Sequence, residues 1–527
     1  MRLPALLAVS DLMLGAGRLN GRRWAGQQLL LAWAKAAEDQ PIALASENPA
    51  AMLKRLQPLL QSQGFSGVVH GLGLNRPQPF VPWGAFFIPD LSIGRWAQWR
   101  RPVGAAGFSL IGQIHTLSTA SSLEQIQELV TEPLTPWDAV ICSSSAGAAV
   151  LDAVMGDREE QLVALAGGSI ARLRSRRPQL PVIPLPIAAR QLAAELPARQ
   201  AARQALGCPP EAAVLLWLGR LSWLTKSDPW PTYALLEHLA QTLDRPLVLI
   251  ECGPDDQAGQ AAQWQLLRDC CPSVQFLRLG GAEPVAEAVK QQALAAADLA
   301  ISLVDNTQET FGLALAEAMA AGLPVVASDW DGYRDLVRPG VDGFLVPTRW
   351  ASIAAEISPV LGWQQRTGLQ TYGAISGALA QLVQVDMAAA KAALLTLLQT
   401  PALARAMGEA AQQRAFQCFE ASKVMDSYKQ LFAELNDRRL LASAAERSPQ
   451  LPSLSLDPVR CFQNYPSGPP AERKSIDRSL QQLLPSSLLR VRSQIWSLLR
   501  QNSASESHGF LDQDLLRKHQ WPDSPLS

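Results

Sequence analysis

The chain has 527 residues, with 46 Lys plus Arg against 47 Asp plus Glu, enough length to bury two cores of ordinary size with a tail to spare. A charge balance this close to neutral gives no general attraction to nucleic acid or anionic membranes, so an anion site has to be built locally. The seven cysteines are odd in number and scattered without a CxxC pair, which excludes zinc-ligand spacing and fits a reduced intracellular compartment better than a disulfide framework.

From the beginning of the chain, residues 4–10 read as a buried strand. The apolar stretch around it is interrupted by Asp11 and preceded only by Arg2, unlike a secretory leader. Further short apolar runs at 41–45, 67–71, 108–114, 139–143 and 182–187 predict strands. Stretches such as 22–38 and 49–61, with apolar residues three and four apart, predict helices between them. A second series of predicted strands follows at 213–219, 246–253, 274–279, 299–304, 324–328 and 343–347. Strands alternating with helices imply crossover connections and parallel sheets covered on both faces. Two such series predict two doubly wound domains, 1–195 and 196–400, the second interrupted at 349–385. Helices over 401–436 close the fold, and a Pro/Ser-rich tail covers 437–527. Within the tail, residues 486–500 predict an amphipathic helix with Leu488, Val491, Ile495 and Leu499 on one side; docking on the protein and contact with a membrane surface both stay open for it. No apolar run reaches the roughly 18 residues that cross a bilayer.

Residues 298–328, DLAISLVDNTQETFGLALAEAMAAGLPVVAS, carry the chemistry. They read as strand, loop, helix, stop and strand, with the helix opening at Thr310 or Phe311, Gly322 closing it and Pro324 barring continuation. Glu317 is the only charge on an otherwise apolar helix, so it needs a partner: an ion pair with a neighbouring loop, or a ligand hydroxyl. On one continuous helix Glu309 and Glu317 would stand about 12 Å apart along the axis, the span of a ligand with hydroxyls at both ends and a diphosphate between. The helix start at Phe311 and Gly312 would aim backbone N–H groups at the phosphates. Earlier, Gly219-Arg220-Leu-Ser-Trp-Leu-Thr-Lys226 ends a strand and brings two cations to the same cleft, as a diphosphate requires.

The run ETFGLALAEAMAAGLPVVA resembles the Glu-x7-Glu signature of the family-four glycosyltransferases of GT-B fold, and the GRL…K element resembles that family's diphosphate-binding segment. The likeness extends through the run from Asp329 to Pro347, where Asp335 stands in place of the usual Glu. It implies two facing Rossmann-like domains with the active site in the cleft between them. It also implies transfer of a hexose from a nucleotide-diphosphate sugar, with retention at the anomeric carbon and no obligatory metal or other cofactor. Glu309 would contact the donor sugar, Glu317 the ribose, and Arg220, Lys226, Phe311 and Gly312 the diphosphate. His115, just past a predicted strand, would face the cleft as a second catalytic group, or serve as an ordinary hydrogen-bonded loop histidine. Gly15 and Gly17 would form an acceptor-side loop, although G-x-G-x3-G misses the dinucleotide fingerprint. The acceptor would be a glycan, a lipid or a small molecule, with no nucleic acid as partner. The implied location is cytoplasmic, with peripheral contact at the inner face of a membrane left open. Acceptor loops would include residues 82–101 with Trp83, Trp96 and Trp99, which also read as packing aromatics.

Two other readings stand beside this one. Asp329 and Asp331 form a DxD triplet after an apolar strand and could hold Mn²⁺ or Mg²⁺ in a metal-dependent GT-A transferase; with Gly332, Asp331 also reads as a helix-entry turn. The other is a catalytically silent sugar-nucleotide-binding protein, which fold alone never excludes.

Overall fold

The computed structural model describes residues 2–9, 21–255, 260–451 and 453–466. The chain divides into two units, residues 1–453 and 454–527. The first holds two six-stranded sheets, all of whose strand pairs are parallel.

The first sheet comprises β1 (Ala5–Leu7), β2 (Ile42–Ser46), β3 (Val69–Gly73), β4 (Ala85–Ile88), β5 (Ser109–Gln113) and β6 (Ala139–Ile141), in the spatial order β3-β2-β1-β4-β5-β6. The second comprises β7 (Ala213–Leu218), β8 (Leu247–Cys252), β9 (Val274–Leu279), β10 (Leu299–Ser302), β11 (Val325–Ser328) and β12 (Gly343–Val346), in the order β12-β11-β10-β7-β8-β9. Counted within each sheet the orders are identical, so each chain half folds as the same doubly wound unit. Each reverses direction once, at β1/β4 and at β7/β10, and loops leaving the carboxyl ends on either side of such a reversal frame a crevice for ligands.

The central strands are mostly apolar because both faces are covered, whereas the edge strands β3 and β9 carry His70, Gln275 and Arg278. On β7, Val214 and Leu216 enter one core while Ala213, Leu215 and Trp217 enter the other. On β4, Phe87 and its neighbours Phe86 and Ile88 divide in the same way. The helix Ala421–Leu440 returns from the end of this unit to the first sheet, where Val424, Tyr428 and Phe432 join Trp33 and Phe87 in one core. Leu185, Ile187 and Ala189 already belong to the core of the second sheet.

Two of the strand expectations need correction. Residues 182–187 are not a strand: they make only isolated bridges, Val182 to Cys142 just past β6 and Ile187 to Glu420, because Pro181, Pro184 and Pro186 lack the N–H groups a ladder needs. Conversely β4, central in its sheet, lies inside residues 82–101, the segment assigned to an acceptor loop. There Trp96 packs on Phe86 at 5.1 Å and Trp99 on Phe80 at 5.1 Å, so both tryptophans, partly buried, pack against the core of the first sheet.

The interruption of the second domain forms a small body of its own. A two-stranded antiparallel ribbon, β13 (Thr348–Trp350) with β14 (Val383–Val385), encloses the helices Ala354–Arg366 and Tyr372–Ala380. Gln365 Nε2 donates to the Ser118 carbonyl at 2.7 Å and the Tyr372 hydroxyl lies 3.1 Å from Ser118 Oγ, so this body reaches from the second sheet to a loop of the first. In the second unit the described residues form two short turns, Leu454–Leu456 and Pro458–Cys461, with Phe462 against Tyr465 at 4.9 Å. The helix predicted at 486–500 lies outside the described residues.

Candidate active site

The loops that follow β7 and β10 leave the second sheet at its reversal point, and side chains pin them together. Asn306, 1% exposed, donates to the Lys226 carbonyl and accepts from the Gln308 N–H at 2.9 Å, while its own carbonyl takes the Trp330 indole N–H at 2.8 Å. Asp305 accepts from the Asp228 N–H at 3.1 Å. Arg220 and Lys226 from one loop therefore stand beside Gln308 and Glu309 from the other.

Lys226 Nζ lies 2.7 Å from Glu309 Oε2, and Arg220 Nη2 lies 3.4 Å from Gln308 Oε1. Burial alone would raise the Glu309 pKa, but the Lys226 ammonium and the N–H groups of Phe311 and Gly312 hold it below its ordinary value. The helix Leu313–Ala320 begins later than Thr310 or Phe311, because Gly312 adopts φ 106° and serves as its N-cap. The amides expected to face a phosphate thus contact the Glu309 carboxylate here. The anion cradle exists, and an anion of the protein's own occupies it.

Eight residues on, Glu317 is 6% exposed. Its Oε1 accepts from the Trp24 indole N–H at 2.9 Å and from Lys290 Nζ at 3.1 Å, and Lys290 also lies 4.5 Å above the Trp24 ring. Burial raises the Glu317 pKa, with Lys290 opposing it. Burial works against the Lys290 charge, yet Glu317 and Glu287 carry its pKa above the ordinary value. Of the two partners the sequence offers Glu317, the structure supplies the ion pair, from the helix Glu287–Ala296 rather than a loop, and the carboxylate also lines the cavity.

Both loops and the helix border a single cavity of about 460 Å³. Its walls carry Arg220, Lys226, Glu309, Phe311, Gly312 and Glu317 together, and Trp24 and His115 from the first domain complete it. His115 Nε2 lies 3.1 Å from the Pro89 carbonyl beyond β4, so the cleft position and the ordinary loop contact coexist. Tyr333, buried below Gly312, hydrogen-bonds Ser302 at 2.7 Å. Burial pushes the thiol of Cys252, another wall residue, up to about 12. Gly15 and Gly17 lie outside the described residues.

The DxD pair takes other partners. Asp329 pairs with Arg334 at 3.3 Å. Asp331, in the left-handed region at φ 43°, accepts from Ser144 Oγ at 3.5 Å. Asp335, whose role the sequence leaves undefined, accepts from the Ser145 N–H. Ser144 and Ser145 open the helix Ser145–Ala166 of the first domain, where free N–H groups favour carboxylates. These residues therefore bridge the two sheets. Burial, then the nearby Glu309 charge, pushes Asp331 up to about 7.

Trp24, Lys290, Asn306 and Tyr333 are the site residues that sequence reasoning misses. Lys290 has one local signal, as the single cation of its helix, paired with Glu287 at 3.2 Å one turn earlier. For the others the partners that build the site come from separate segments: Glu317 for Trp24, the Lys226 carbonyl for Asn306 and Ser302 for Tyr333.

Two parallel sheets of identical order, with the cavity at the reversal of the second, define a GT-B fold. Residues 212–362, which hold every second-domain residue of the site, match the family described as Glycosyl transferases group 1. The chain is 34% identical over 167 residues to a D-inositol 3-phosphate glycosyltransferase of Thermobispora bispora, covering 30% of this chain and 38% of that protein. It is 35% identical over 149 residues to a phosphatidyl-myo-inositol mannosyltransferase of Mycobacterium leprae, covering 28% and 36%. The chain thus spans well under half the length of these relatives. In fold it is similar to the N-terminal domain of Candida albicans trehalose-6-phosphate phosphatase, with a TM-score of 0.52 at 8% identity over 82% of this chain and 99% of that one.

Proposed function

We propose that this chain transfers a hexose from a nucleotide-diphosphate sugar to an acceptor hydroxyl, with retention of anomeric configuration. The observation that carries the reading is the convergence of Arg220, Lys226 and the amides of Phe311 and Gly312 on one side of the cavity that also holds Glu309 and Glu317. Such a site fits an elongated dianion with hydroxyls at both ends.

Donor binding exchanges partners. The diphosphate takes the cations and amides that hold Glu309, and the released carboxylate turns to the hydroxyls of the sugar. As the glycosidic bond breaks, negative charge grows on the leaving phosphate oxygen, where Arg220, Lys226 and the helix start stabilise it. In a retaining transfer the leaving phosphate accepts the proton of the incoming hydroxyl on the same face of the sugar. His115 faces the sugar end. The acceptor is a glycan, a lipid or a small polyol, and the relatives' names put inositol and inositol lipids among the first to assay. A metal-dependent GT-A reading through Asp329 and Asp331 fits the two-sheet fold poorly, and it predicts activity lost in EDTA where this proposal predicts activity retained.

The test is release of nucleoside diphosphate from UDP-, GDP- and ADP-sugars, followed by mass analysis of the product. Lys226→Ala and Glu309→Ala should each lose about 10²-fold or more in turnover while staying folded. Turnover near wild type in both variants refutes the site, and nucleotide binding without transfer to any acceptor favours a silent binding protein.

A further inference from the structure

Trp24 belongs to the helix Gly21–Ala37 of the first domain, and Glu317 to the helix beside the donor cavity in the second. They are 293 residues apart in sequence and 2.9 Å apart in space. Both contacts of the carboxylate, with the Trp24 indole and with Lys290, fall on Oε1. Among the described residues no hydrogen bond or ion pair engages Oε2. Lys290 is itself fixed from three sides, by Glu317, by Glu287 and by the face of the Trp24 ring, a cation–π contact that holds ammonium and indole in register. All three side chains line the cavity.

A carboxylate with one oxygen clamped has one degree of freedom fewer. The other oxygen then points in a set direction, which is how a supporting shell sharpens recognition. An indole suits the clamp because its single N–H has one direction and its ring adds rigid apolar wall. Resting on the reading of Glu317 as the ribose ligand, we infer that Trp24 is a positioning residue: with Lys290 it holds Oε1 of Glu317 so that Oε2 accepts a ribose hydroxyl. Discrimination between ribo- and deoxyribonucleotides then depends on a residue from the domain opposite the nucleotide.

The consequence is a division of labour. Arg220 and Lys226 respond to the diphosphate whatever the sugar of the nucleoside, whereas Trp24, Lys290 and Glu317 respond to the ribose. Loss of the Trp24 bond should leave diphosphate affinity in place and remove preference.

The test is calorimetric titration of the full chain with whichever of UDP, GDP and ADP binds tightest, and with its 2′-deoxy and 3′-deoxy forms. Wild type, Trp24→Phe, Lys290→Met and Glu317→Ala are compared. Trp24→Phe keeps a ring over Lys290 but has no N–H to donate. Wild type should prefer the ribonucleotide over at least one deoxy form by about tenfold, a charge-assisted hydrogen bond's worth, and Glu317→Ala should abolish that preference. Trp24→Phe should cut it about three- to tenfold, with affinity for the deoxy form unchanged, and Lys290→Met should cut it too. Should Glu317→Ala abolish the preference while Trp24→Phe retains all of it, the inference about Trp24 fails and the ribose reading stands. Should Glu317→Ala leave the preference as in wild type, the ribose reading fails and takes the inference with it.

Discussion

Asp305 shows how the site is held at the scale of single residues. It is 8% exposed, one carboxylate oxygen takes the Asp228 N–H, and the other has no partner. Burial pushes its pKa up to about 7. In the unfolded chain it titrates near its ordinary value of about 3.9. Below about pH 4 the group is protonated in both states and costs nothing. Between about pH 4 and pH 7 the unfolded chain ionises first, so the native state loses stability as pH rises, and above about pH 7 the loss is constant. Asp305→Asn removes this titration while keeping an oxygen for the Asp228 N–H. Its stability relative to wild type should climb by about 2–4 kcal/mol between pH 4 and pH 8, read by denaturant unfolding at both values; a difference independent of pH contradicts the account. The residues legible in the sequence are those whose meaning is local. Arg220, Lys226, Glu309 and Glu317 sit in short runs whose spacing along one loop or helix already implies a shared ligand. Trp24 and Asn306 are silent because an indole 293 residues from its carboxylate, or an amide 80 residues from its carbonyl, leaves no mark on any window of sequence.

At the scale of elements, the helix Leu313–Ala320 depends on Gly312. Its φ of 106° disfavours any side chain, and a Cβ there would stand 2.9 Å from Leu336 Cδ1 and nearer still to the Tyr333 ring. Tyr333 cannot easily retreat, because its hydroxyl is bonded to Ser302 on the far side. Gly312→Ala should therefore cost about 2–4 kcal/mol of stability and most of the donor affinity, measured by chemical unfolding and by titration. An unfolding midpoint equal to wild type would argue against the packing described. The second sheet was fully readable because each of its strands is a β-branched or leucine-rich run closed by Gly, Pro or a polar turn. The first was harder. The four-residue β4 sits between Gly84 and Pro89 among tryptophans that suggest a surface loop, whereas residues 182–187 are apolar enough to suggest a strand that their prolines forbid.

At the scale of the whole molecule, the cleft is bridged at several points between the two sheets. Ser143 Oγ donates to the Thr310 carbonyl at 3.1 Å, Ser144 and Ser145 meet Asp331 and Asp335, and Trp24 meets Glu317. The helix end at Ser145 gains from Asp335 what helix N-termini gain from any carboxylate, about 0.3–1 kcal/mol, enough to shift an opening equilibrium about two- to fivefold. Asp335→Ala should widen the average separation of the domains, seen as a larger radius of gyration in small-angle scattering, and should raise the donor KM more than it lowers kcat. Scattering and KM indistinguishable from wild type would show that this bridge does not set the closure. The sequence gives no sign of such bridges, since each joins a residue of one repeat to a residue of the other.

The most direct measurement of the central claim, that this cleft grips an activated sugar through its diphosphate, is calorimetric titration of wild type and Lys226→Ala with a nucleoside diphosphate and the matching monophosphate. The account predicts one site on wild type, tighter for the diphosphate by about tenfold or more, with that advantage lost in Lys226→Ala. Equal affinity of wild type for the two nucleotides, or a diphosphate advantage that survives the loss of Lys226, would contradict it.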